Sequence, residues 1–171
     1  MGLLDIFKKS KTKSEAIKSE VIEPNIITNG VNEKYLPYVD DIMPLLISLL
    51  KRLDIVENKA YTSNRENKDE YNELKEEYGR IASEVCTKEL LERGYLIAFG
   101  NPTKYGHINK GCELEFVMKS EKQATVIMYN ERDKSYLATY RFVFKNLDDD
   151  WKLCSVHYRH GNDDTWHVYC I

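Results

Sequence analysis

The chain has 171 residues, 42% of them hydrophobic, 31% charged and 11% aromatic, with a formal net charge of −3. This much apolar material excludes wholesale disorder, and the length suits one domain with or without a tail. With 25 basic residues against 28 acidic ones there is no electrostatic footprint for wrapping nucleic acid, so no nucleic-acid partner is expected.

Residues 1–34 read as a flexible or loosely attached N-terminal segment, and residues 35–171 as a single domain. Lys8, Lys9, Lys11, Lys13 and Lys18 make the start basic. Together with Leu3, Leu4, Ile6 and Phe7 they would suit weak contact of residues 1–19 with an anionic membrane surface. A frayed, solvated leader accounts for the same residues. Residues 1–7 have neither the basic start nor the long apolar stretch of a secretory signal. The most apolar run, residues 42–50, is too short to span a membrane. Cys86, Cys112, Cys154 and Cys170 form no CxxC pair, which argues against structural zinc. The expected setting is cytoplasmic, with reduced thiols.

The first predicted helix covers 37–53. Asp40 and Asp41 suit its first turn and Lys51 and Arg52 its last. Ile42, Leu45, Leu46, Leu49, Leu50 and Leu53 give it a broad buried face, while Pro44 demands a nearby start or a kink. A second helix is predicted over 64–93. Tyr71, Leu74, Tyr78, Ile81 and Val85 form its stripe, and Glu76–Arg80, Glu84–Lys88 and Glu89–Arg93 are its i,i+4 pairs. Gly94 occupies its C′ position.

Beyond Gly94 the period changes to two. A short strand is possible over 95–99, and strand-like runs follow at 112–119, 123–130, 136–146, 151–159 and 165–171. Their short connectors imply antiparallel neighbours. Leu114, Phe116 and Met118 should face the core with Phe142 and Trp151, leaving Glu113 and Glu115 on the opposite face. Two helices followed by such a meander make an α+β domain.

No motif for nucleophilic catalysis, phosphate binding or dinucleotide binding occurs. Glu113 and Glu115, about 6.6 Å apart along one strand face, could form an acid/base pair, but alternation places acids this way on any half-exposed strand. His157, His160, Asp163, Asp164 and His167 cluster around one turn. A metal site there is opposed by the strand parity of His157 and His160, and the Asp residues also serve as turn formers. Cys154 and His157 likewise differ in parity. Tyr105, Tyr129, Tyr136, Tyr140, Tyr158 and Tyr169 suit either an interface or a strand core.

Within residues 95–171, Pro102 and Tyr105 precede a long strand, and Ala124-Thr125-Val126 alternates in the next. Tyr140-Arg141-Phe142 then leads to the polar turn Asp149-Asp150, with Trp151 and Trp166 following. This pattern resembles the nuclear transport factor 2-like fold, and more narrowly the bacterial immunity proteins of polymorphic toxin systems built on it. The resemblance implies a cystatin-type cone, with helices packed in the concavity of a bent antiparallel sheet. It also implies a non-enzymatic protein that binds and neutralises a cognate toxin domain, with no catalytic residues and no cofactor. The alternative is a small-ligand-binding protein or enzyme of the same fold, with an apolar pocket under the sheet. Two docking places are expected to compete: the turn carrying His160, Asp163, Asp164 and Trp166, and the sheet face around Glu113 and Glu115.

Overall fold

A computed structural model describes residues 21–63, 68–94, 97, 100, 102–130, 138–161 and 163–171. The first helix, α1, spans Pro37–Thr62 and so outruns its predicted end at Leu53. Val56 and Ala60, both fully buried, carry the apolar stripe two turns further. Arg52, expected to mark the last turn, instead pairs with Glu84, and Lys51 pairs with Glu23 at 2.7 Å. Pro44 lies inside α1 on its solvent side. The hydrogen bond it removes leaves the exposed Asp40 carbonyl open to water.

The predicted 64–93 helix is two helices, α2 (Lys68–Val85) and α3 (Lys88–Glu92). Between them Cys86 bridges to Leu153, and the Thr87 N–H donates to the Leu153 carbonyl at 2.9 Å. Thr87 then caps α3 by accepting from the Leu90 N–H. This break undoes the expected Glu84–Lys88 pair. Glu84 takes Arg52 and Arg80, while Lys88 pairs with Glu92. Gly94 directly follows the C-cap with φ 85°, a left-handed value that suits glycine, as predicted. The possible strand at 95–99 lies outside the described residues apart from Ile97, which is buried.

Six strands form one sheet in the order β1-β2-β3-β4-β5-β6. They are β1 (Asn25–Ile27), β2 (Glu113–Ser120), β3 (Gln123–Tyr129), β4 (Ala138–Leu147), β5 (Asp150–His160) and β6 (His167–Tyr169). From β2 to β6 every pairing is antiparallel, as the short connectors required. Asp148 and Asp149, with φ of 53° and 66°, form the two-residue β4–β5 loop whose twist fits a hairpin. Register shifts at Met118/Ser120 and Val143/Phe144 add local bends, and the sheet curls without closing.

β1 departs from the purely antiparallel sheet, bringing three residues of the N-terminal segment to its edge. Asn25 to Ile27 pair in parallel with Glu113 to Glu115, and the Asn25 N–H donates to the Cys112 carbonyl at 2.8 Å. Just before it, Ile22 bridges Lys110 across Gly111. Gly111 has φ 75°, and a Cβ there would stand 2.8 Å from the Ile22 side chain, so only glycine lets the two backbones approach. The pairing depends on backbone groups, which is why no side-chain period announced it.

The core lies between the helices and the concave sheet face. Leu114, Phe116, Val126, Phe142, Phe144 and Val156 are fully buried from the sheet side, with Trp151 at its margin against Tyr38. Leu46, Leu50, Leu53, Tyr78 and Leu90 meet them from the helices. This is the predicted α+β architecture. Among the described residues no helix is long and apolar enough to cross a membrane.

Candidate functional site

Alternation along the strands gives the convex sheet face a half-buried composition of its own. Glu113, Glu115, Ile127, Tyr129, Arg141, His157 and Arg159 all point that way, between neighbours on the same strands that point inward. Register aligns Glu115, Ile127, Arg141 and His157 in one row across β2 to β5. Arg159 pairs with Thr139, one step diagonal from Arg141.

Trp166, just ahead of β6, completes this surface. Its ring lies 4.5 Å from the Arg141 guanidinium and 4.8 Å from that of Arg159. Both arginine Nε atoms are buried and have no hydrogen-bond partner among the described residues. Burial, then the neighbouring Arg159 charge, pulls Arg141 below the ordinary arginine value. Burial first, then the charges of Arg141 and Arg93, holds His157 below the ordinary histidine value. On β2, Glu115 accepts a hydrogen bond from the Tyr129 hydroxyl at 2.5 Å.

The residues singled out from the sequence therefore divide. Trp166 lies over the convex face that also carries Glu113 and Glu115, against arginines of β4 and β5 rather than the acids of β2. His160 does not join Trp166: it alternates with Arg159 and stacks edge-on against Tyr158, ring centroids 5.2 Å apart. Asp163 folds back on its own turn, accepting from the Thr165 N–H at 2.8 Å and lying 3.3 Å from His167 Nε2. Asp164 is exposed. Among the described residues no group of three or more His, Cys, Asp or Glu gathers as a metal site.

Inside the concavity sits a polar cluster that sequence reading missed. Glu57, fully buried on α1, accepts from the Tyr78 hydroxyl at 3.3 Å and from the Lys104 backbone N–H at 2.8 Å. One turn earlier, Asp54 accepts from the Thr103 hydroxyl and from Asn109 Nδ2. The Lys104 ammonium lies 5.1 Å from the Tyr105 ring and 4.9 Å from the Tyr169 ring, buried and without a hydrogen-bond acceptor among the described residues. Tyr105 is fully buried and Tyr140 nearly so, with their rings edge to face. Burial raises the Glu57 carboxyl to about 7 against the opposing Lys104 charge, and burial likewise lowers Lys104. The available signal was the spacing of Leu50, Asp54, Glu57 and Ala60, which keeps the helical stripe while changing its chemistry.

Beside this cluster an open groove of about 560 Å³ runs between α1 and the 3₁₀ turn Gly106–Asn109, lined by Val21, Ile22, Ile55 and Pro102. Its acidic group, Asp54, is already held by Thr103 and Asn109.

No curated protein and no solved structure matches the chain. A family model described as NTF2 fold immunity protein matches residues 41–170, from the second turn of α1 to just past β6. That span takes in the helices, the meander and the curl that holds them together, and the chain belongs to the NTF2 fold immunity protein family.

Proposed function

We propose that this protein neutralises one cognate toxin domain by binding it, without catalysing a reaction, through the convex face centred on Trp166. Family membership supports a toxin-neutralising role in general. The choice of surface is supported by one observation: a half-buried tryptophan with two arginines against its ring. Trp and Arg are the side chains that most often dominate binding energy at interfaces. Glu113 and Glu115 border this surface on one side. On the other lies the β5–β6 turn, with Asp163, Asp164 and His160 as rim groups that tune association.

Survival of cells co-expressing the toxin-bearing neighbouring reading frame tests the reading. Trp166→Ala should abolish protection while the purified variant still melts cooperatively. Asp163→Lys with Asp164→Lys, and Glu113→Lys with Glu115→Lys, should each weaken toxin binding by a smaller factor. Undiminished protection by Trp166→Ala would remove the convex face from consideration.

A second reading, a small-ligand site under the sheet, is favoured by the buried Glu57 that titrates near neutrality. Both of its oxygens are already bonded to Tyr78 and the Lys104 backbone, which suits structure better than chemistry.

A further inference from the structure

Arg141 and Arg159 are like charges on adjacent strands, set one diagonal step apart. Holding them together is unfavourable unless a counter-charge is present or arrives. Among the described residues the ion pairs at contact distance lie elsewhere: Glu23 with Lys51, Glu77 with Lys59, Glu84 with Arg52 and Arg80, Glu92 with Lys88, Asp150 with Lys152, Asp163 with His167. Glu115 shares the row of Arg141, but Ile127 stands between them, and its carboxylate already takes the Tyr129 hydroxyl. Two strand spacings, roughly 9.6 Å, separate the backbones of that row. Neither guanidinium donates a hydrogen bond among the described residues. Packing on the Trp166 ring orders both groups while consuming none of their N–H donors.

We propose that Arg141 and Arg159 form a receptor for a carboxylate of the toxin domain, an Asp or Glu side chain gripped by both guanidiniums over the edge of Trp166. This rests on the convex-face reading above and names the chemistry of the partner's anchor. A planar guanidinium fork matches a carboxylate bidentately, and two forks already ordered on an aromatic ring lose little freedom on binding it. A protein acid fits better than nucleic acid, because Glu113 and Glu115 stand on the same face two strands away from Arg141 and the chain as a whole is acidic.

The test is calorimetric titration of the full chain with the toxin domain encoded beside it, at about 50 and about 300 mM salt, where screening differs strongly. Arg141→Gln with Arg159→Gln should weaken the complex by roughly 30-fold or more at low salt and flatten its salt dependence. Arg141→Lys with Arg159→Lys keeps the charge without the fork and should fall between that variant and wild type. Circular dichroism melts of both variants establish that they fold. If Trp166→Ala weakens the complex while the double Gln variant binds like wild type with the same salt slope, the carboxylate receptor is wrong and the docking face stands. If neither change affects binding, or wild type does not bind, both fall together. A fluorescent single-stranded oligonucleotide that binds through the same arginines and is competed by the toxin would overturn the protein carboxylate in favour of nucleic acid.

Discussion

The concave and convex faces of one sheet each hold cations without a full set of partners, and water separates their consequences. Lys104 stands among Tyr105, Tyr169 and the buried Glu57, with its ammonium buried. Arg141 stands between the buried Tyr140 and Phe142, and Arg159 two residues beyond it across the hairpin register, yet both side chains remain partly exposed. In the interior an unmatched charge shifts ionisation and weighs on stability. On the outer face part of the same deficit is offset by water and can be met by an incoming group.

The largest effect should come from a pair of neighbours on β4. Phe142 is fully buried under the helices, and its truncation to Ala should cost about 3–5 kcal/mol, as for large aromatic groups in cores. Val143, next in the chain but outward, should cost about 1 kcal/mol when truncated. Urea denaturation of the two variants measures both, and equal losses would show that the convex face is packed as tightly as the core.

Next in size is the pH response of the interior. The folded-state value of Glu57, about 7, lies above the ordinary 4.5. The folded protein therefore binds this proton more tightly, and the contribution to stability is fully present below pH 4.5 and lost as pH rises through 7. The loss should amount to about 3 kcal/mol. The groups facing Glu57 are Lys104, Tyr78 and Asp54. Lys104, lowered from 10.5, acts in the opposite sense in a window that ends at that ordinary value. Glu57→Gln should flatten the stability profile between pH 4.5 and 7, and an unchanged slope in denaturant titrations across that range would assign it to other groups.

The smallest effect should be on the outer face. Arg141→Gln with Arg159→Gln gives up two ring contacts but also relieves a like-charge pair, so the net change in unfolding free energy should stay within about 1 kcal/mol. A loss as large as that of Phe142→Ala would make the arginines structural and erase the contrast between the faces.

What the sequence disclosed follows the same division. Core-facing strand positions such as Leu114, Phe116 and Trp151 were legible because burial imposes a period of two, and the β4–β5 turn because Asp148-Asp149 tolerates positive φ. The end of α1 was misplaced because Asp54 and Glu57 interrupt its apolar stripe while remaining buried. The gap between α2 and α3 was hidden by continuous helical spacing, and Thr87, a good capping residue, was its local mark. On the outer face Trp166 could be named, but its arginine companions could not. Their meeting depends on cross-strand register and on a bulge at Val143/Phe144, neither of which leaves a trace in local composition.

The parallel strand β1 has a consequence in time. Asn25 can meet Glu113 only after the intervening chain has passed through α1, α2 and α3, so its pairing closes the largest loop in the sheet. Contacts between such distant positions are slow to form, because chain entropy is lost before any bond repays it. With three residues and a mostly exposed surface, β1 gains little once closed. It should therefore join the sheet late and leave it early. Such a departure would uncover the edge of β2 without touching the antiparallel pairings of the meander.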